Sequence, residues 1–244
     1  MAHIEEHAEV DLDSPVLVEG LPGVGLVGKI AADHLVESLE MEYFASCHCD
    51  GLPRVAVYEE GDPEIRPPVR IYADADHDLL VLQSDVPVSP QAAPEFASCV
   101  TGWFGRNDVL PLCLSGLPEE KEDPPELYGL GTGGAGELLA DHGVPRPSEH
   151  GMVSGPTGAL LAEASEQGVD SVGLVVQANA QFPDPEAARI LLVEGIEPIS
   201  GIDVETETLV EQAEEIAEAR ERLAKQMQQA QEESSQARPL GMYQ

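Results

Sequence analysis

The stretch Val18-Glu-Gly-Leu-Pro-Gly-Val-Gly-Leu-Val-Gly-Lys-Ile30 carries the densest chemical signal in the chain. Gly23-x-Gly25-x-x-Gly28 follows an apolar run, which is the spacing of a dinucleotide-binding turn. There, glycines let a diphosphate reach backbone amides at a helix N-terminus. Asp50 falls about where a ribose-binding acid would stand, near the end of the next strand. The same residues also read Gly23-x-x-x-x-Gly28-Lys29, the outline of a P-loop. That outline fails at Ile30, which occupies the place of the Ser or Thr hydroxyl that holds Mg²⁺. Pro22 alters the turn as well, and a chain with 23 glycines yields such spacings readily. A plainer cause is packing: small residues let the first strand turn sharply and the following helix approach the sheet.

A second set of polar residues follows the apolar run Val172–Gln177. Asn179, Gln181 and Asp184 cluster there. Ligands of open α/β sheets bind beyond the carboxyl ends of strands. Gly23, Gly25 and Gly28 with Asn179 and Gln181 therefore define a possible small-ligand crevice. A polar loop ending in a helix cap accounts for the same residues. Elsewhere the chemistry is sparse. The seven histidines are His3, His7, His34, His48, His77, His142 and His150, and none forms His-Glu-x-x-His or another metal-ligand spacing. Cys47-His48-Cys49 spaces its thiols too closely for a usual zinc pair, and no second pair follows. Cys47, Cys49, Cys99 and Cys113 read as buried small thiols. Ser154-Gly-Pro is not a nucleophile elbow. No catalytic residue, metal or cofactor is expected.

These residues need a frame, and the apolar pattern supplies one. Strands are expected at Pro15–Glu19, Tyr43–Cys49, Leu79–Gln83, Val109–Leu114 and Val172–Gln177, with a short one at His150–Ser154. Arg54–Tyr58 and Val69–Ala73 read as a hairpin. Helices are expected over 25–39, Pro90–Arg106, Pro156–Gly168 and Asp184–Gly195, the last capped by Asp184 and ended by Gly195. Residues 117–133, rich in Pro, Glu and Gly, read as a long loop. Strands alternating with helices imply an α/β fold, a three-layer α/β/α sandwich with a largely parallel sheet covered on both faces. The divisions are an acidic segment over 1–14, an α/β domain over 15–203, a long helix over 204–233 and a flexible tail over 234–244. The long helix lacks Gly and Pro. It carries Leu209, Ala213, Ile216, Arg220, Leu223, Met227 and Ala230 as a heptad-like seam, to pack on its own domain or on another subunit.

The 244 residues carry 46 acidic and 12 basic side chains, a net charge of −34, with Lys29, Lys121 and Lys225 the only lysines. Such a surface repels nucleic acid and anionic membrane, both of which need cations to neutralise phosphate. No apolar run approaches the roughly 20 residues that span a bilayer. Met1-Ala-His-Ile-Glu-Glu lacks the basic and apolar regions of a signal peptide. A cytoplasmic protein is expected, adapted to very high salt, where a short screening length makes self-repulsion tolerable.

Three motifs in order then carry a resemblance. Gly20-Leu-Pro-Gly-Val-Gly-Leu-Val-Gly-Lys-Ile-Ala31 resembles the opening signature of the proteasome assembly chaperone family, in its archaeal branch. Gly155-Pro-Thr-Gly-Ala-Leu-Leu161 resembles that family's later glycine-led helix start. Pro183-Asp-Pro-Glu-Ala-Ala-Arg-Ile-Leu-Leu192 resembles its segment near the domain end. The resemblance implies a fold of the nucleoside phosphorylase type and a homo-oligomeric binding protein rather than an enzyme. It also gives meaning to Met242-Tyr243-Gln244, a hydrophobic–Tyr–any ending of the kind that docks between proteasome α-ring subunits. The terminal carboxylate of Gln244 would pair with a basic group. Tyr243 would offer a ring and a hydroxyl, and Met242 adaptable apolar bulk. The alternative is a phosphorylase-like or nucleotide-binding enzyme working at the 20–28 loop.

Overall fold

The computed structural model describes residues 3–58, 61, 63–119 and 124–218. One eight-stranded sheet organises them, in the order β1-β3-β4-β5-β2-β6-β8-β7. The strands are β1 (His3–Glu6), β2 (Val16–Gly20), β3 (Glu42–His48), β4 (Val69–Asp74), β5 (Leu79–Ser84), β6 (Leu110–Leu117), β7 (Leu127–Thr132) and β8 (Ser171–Gln177). Four central strands, β5, β2, β6 and β8, run parallel. The outer pairings β1–β3, β3–β4, β4–β5 and β8–β7 are antiparallel. The sheet is therefore mixed, which corrects the expectation of a largely parallel one. The central strands read as unbroken apolar runs because both faces are covered. β5 is buried at every position.

Helices cover both faces. On one lie α1 (Val27–Ser38), α3 (Ala135–Asp141) and α5 (Pro185–Ile190), the last continuing through a wide turn at Leu191–Ile196 into α6 (Glu197–Ser200). Val18, Leu35, Val81, Leu112, Leu174 and Leu192 are part of the core on that side. On the other face lie α2 (Ala93–Arg106) and α4 (Gly155–Gln167), over Leu17, Phe44, Ile71, Leu80, Phe96 and Phe104. The two cores follow from strand alternation: Leu17 and Val18 point to opposite faces. Leu209, in a helical segment over 207–218, is buried in the first core, and the Glu205 carbonyl lies 2.7 Å from His34 Nε2. The start of the C-terminal helix thus packs on its own domain. The rest of the expected helix, 219–233, and the 234–244 tail lie outside the described residues.

Several expectations change in three dimensions. Residues 3–6 join the sheet edge as β1, with Ile4 packed inward. Arg54–Tyr58 does not pair with Val69–Ala73. Val57 instead bridges Arg66, and β4 pairs with β3 and β5. The expected strand at His150–Ser154 is not formed. β7 emerges from what read as loop. Its sequence, Leu-Tyr-Gly-Leu-Gly-Thr, hides a strand because glycine weakens strand propensity. A methyl at Gly131 would lie 2.7 Å from the Gly136 nitrogen, so α3 can rest on β7 only where that side chain is missing. Gly195 does not end its helix. It sits inside the wide turn, where a methyl would meet Leu174 at 2.8 Å, and the chain stops helically at Gly201 with φ 75°.

Candidate functional site

The glycine loop lies between β2 and α1, at the carboxyl ends of the central strands. Gly25 takes φ 62° and Leu26 φ 52°, so the chain makes a left-handed corner before α1 begins. The loop meets the segment after β8 directly. The Gly25 carbonyl accepts the Asp184 amide at 2.8 Å. A methyl at Gly25 would lie 3.1 Å from the Ala178 side chain and 3.2 Å from the Asn179 carbonyl. Asp184 caps α5 by accepting from the Ala187 amide at 3.2 Å, and its other oxygen accepts from the Asn179 amide at 2.8 Å. Asn179 Oδ1 accepts from the Gln181 and Phe182 amides at 2.9 and 3.0 Å. The structure thus brings Gly25 and Asn179 together, with Gln181 on the Asn179 turn. Asp184 links the two sides of this tight joint, giving its amide to the Gly25 carbonyl and accepting from the Asn179 amide. Gly23 has open space around it.

The other glycines of the motif serve close approach. A methyl at Gly20 would lie 2.1 Å from Ala32 Cβ, and one at Gly28 would lie 3.3 Å from Leu114 Cβ. Gly116 of β6 faces the Val24 carbonyl, 2.4 Å from where its own methyl would be. Glycine at these places seats α1 and the preceding turn on β2 and β6. Lys29 does not reach into the loop. Its ammonium holds both oxygens of Asp33 at 2.7 Å and lies 3.4 Å from Asp85. Asp85 in turn pairs with the buried Arg70 guanidinium at 2.7 Å. Arg70 also donates to Tyr72 Oη at 3.0 Å and to Gln83 Oε1 at 3.1 Å. Such a buried cation is tolerable because each guanidinium nitrogen finds an acceptor, Nη1 the Pro67 carbonyl as well as Asp85.

Beneath the loop, on the α4 face, stands a fully buried carboxyl that sequence reading passed over. Glu19 Oε1 accepts from the Leu21 amide at 3.1 Å and from Thr157 Oγ1 at 3.2 Å, and Oε2 accepts from the Leu114 amide at 3.1 Å. β2 pairs with β6 only as far as Glu19 and Cys113. The Glu19 side chain bonds the next β6 amide as the strands part. Burial raises its pKa to about 8, against the lowering effect of the three hydrogen bonds. The signal available in the sequence was an acid inside an otherwise apolar strand.

The surface adds features of another kind. Tyr58 and Ile65, on the excursion between β3 and β4, are 81% and 72% exposed, and Met152 is 89% exposed. A cavity of about 580 Å³ beside β7 is lined by Tyr128, Leu130, Met152 and Val175, with Glu126 and Glu149 among its acids. On the outer face of β1 and β3, His3, Glu5 and His48 come together, a grouping their spacing does not announce. No helix among the described residues is long and apolar enough to cross a membrane. Met242, Tyr243 and Gln244 lie outside the described residues.

A mixed eight-stranded sheet with helices on both faces and a glycine loop that locks β2, α1 and the α5 cap together defines an α/β protein whose main motif is a packing joint. The chain belongs to the PAC2 family, whose profile matches residues 17–224. It is 30% identical over 223 residues to an uncharacterized protein of Methanocaldococcus jannaschii, covering 91% of this chain and 90% of that one. Its fold is similar to that of Pyrococcus furiosus PbaA, an archaeal homolog of proteasome-assembly chaperone. The TM-score is 0.77 at 28% identity, covering 95% of this chain and 96% of PbaA. Pyrococcus furiosus PbaB, an archaeal proteasome activator, shares the fold with a TM-score of 0.76 at 22% identity, covering 91% and 98% of the two chains.

Proposed function

We propose that this protein is a non-enzymatic, proteasome-associated binding protein, an assembly chaperone or activator, that docks on the proteasome α ring through Met242, Tyr243 and the carboxylate of Gln244. The observation that carries the reading is the end-to-end likeness to PbaA, described as a homolog of proteasome-assembly chaperone. A single short tail binds weakly because ordering it costs conformational entropy. Several tails presented by one homo-oligomer would gain avidity through effective concentration. The acidic surface suits a cytoplasm of high salt and a partner that is neither nucleic acid nor membrane.

Deleting residues 242–244 should abolish recovery of proteasome core particles in a pull-down from a salt-rich lysate, while the unfolding temperature stays unchanged. Equal recovery by the truncated and full chains would defeat the tail reading.

A further inference from the structure

We propose a binding site for a divalent late transition metal ion of the zinc class, formed by His3, Glu5 and His48 on the outer face of β1 and β3. β1 and β3 are antiparallel, with His3 opposite His48 and Glu5 opposite Ser46. Residues two apart on a strand share a face, so His3, Glu5, Ser46 and His48 form one patch while Ile4 and Cys47 pack into the core. The patch is fixed by backbone pairing rather than by a loop.

The geometry fits a small ion. One donor atom from each of His3, Glu5 and His48 lies within 4.8 Å of the other two. The His3 and His48 rings stack with centroids 5.1 Å apart and planes at 22°. His48 Nε2 is 3.4 Å from Glu5 Oε2. Two ligands on one tetrahedral zinc, each about 2.0–2.1 Å from it, stand about 3.3–3.4 Å apart. The His48–Glu5 edge already has that length, and the exposed His3 closes the triangle by side-chain rotation. Ser46 Oγ, 2.9 Å from His48 Nε2, keeps His7 Nε2 at 2.8 Å as a second partner when His48 turns to the metal. Two imidazoles and one carboxylate favour zinc, nickel or copper over magnesium and calcium, which take oxygen ligands. The three residues are exposed, so the remaining coordination positions face solvent.

The consequence is mechanical. β1 holds to the sheet by its pairing with the β3 edge, by Ile4, and by Glu6, which accepts from Trp103 Nε1 at 3.0 Å. A metal bridging His3 and Glu5 of β1 to His48 of β3 clamps the N-terminal strand across that seam. Any ion that binds only the joined state favours it by mass action.

The test uses the full chain and zinc ion alone, dialysed in high salt against a large excess of magnesium to saturate the acidic surface. One zinc should remain per wild-type chain. His3→Ala together with His48→Ala should weaken retention at least tenfold, Glu5→Gln should weaken it less, and Glu9→Gln should leave it intact. Cobalt(II) in place of zinc should give the visible absorption of a low-coordinate site in the wild type and lose it in the double variant. A variant-independent measure is the imidazole NMR spectrum of the wild type: zinc should shift His3 and His48 and spare His77, His142 and His150. Displacement of zinc by magnesium, equal retention by the double-histidine variant, or shifts at the other histidines instead would each overturn the site.

Discussion

Replacing Glu19 with glutamine should remove a steep loss of stability between mildly acidic and mildly alkaline pH. The folded carboxyl is buried and titrates near pH 8, against 4.5 for the ordinary side chain. Between those values the folded chain holds one proton that the unfolded chain has released. The contribution of Glu19 is therefore complete below about pH 4.5 and declines as pH rises through about 8. Its slope is about 1.4 kcal/mol per pH unit, so about 4 kcal/mol disappears between about pH 5 and pH 8. Glutamine has no proton to lose. Its unfolding free energy should cross that of the wild type or approach it from below as pH rises. Urea unfolding at fixed high salt suits the measurement, because urea leaves screening unchanged. The surface carboxylates are common to both proteins and cancel in the difference. Thr157→Val, which removes one donor to the ionised form, should move the wild-type inflection to higher pH. Parallel pH profiles for wild type and Glu19→Gln would refute the reasoning, because they would mean that three hydrogen bonds outweigh burial and keep Glu19 ionised throughout.

Gly20→Ala should cost about 3 kcal/mol or more, since its methyl would fall 2.1 Å from Ala32 Cβ and force α1 off the sheet. Gly23→Ala, with nothing within 4 Å, should cost well under 1 kcal/mol, and paired urea titrations would separate the two. Among the thiols, Cys99 should alkylate first near neutral pH. A hydrogen bond with Cys47 lowers Cys99 to about 7, while burial holds Cys113 far above the ordinary thiol value. Peptide mass spectrometry after brief maleimide treatment reads the order, and Cys113 labelled ahead of Cys99 would contradict it.

Local chemistry made much of the fold legible. Continuous apolar runs marked β2, β5, β6 and β8, and Asp184 with Pro185 marked the start of α5, because burial on both faces and helix capping act over a few residues. The glycine loop was legible as a sharp turn with close packing, a role that Gly25 and Gly28 fill, whereas nothing crowds Gly23. β1 and β7 were not legible. β1 is four residues long and polar on its outer face, and β7 carries two glycines that only the overlying α3 explains. The mixed sheet was also out of reach, because strand direction depends on which edges meet rather than on the composition of any strand.

The sites divide in the same way. The candidacy of Met242, Tyr243 and Gln244 rests on order along the chain and is read from sequence alone. The joining of Gly25 to Asp184, the meeting of Glu19 with Leu114 and Thr157, and the meeting of His3 and Glu5 with His48 each bring together residues far apart in sequence. Their chemical types are visible in the sequence. Their distances, burial and shared protons arise only when the strands pair, because electrostatic and packing energies depend on separation in space rather than along the chain.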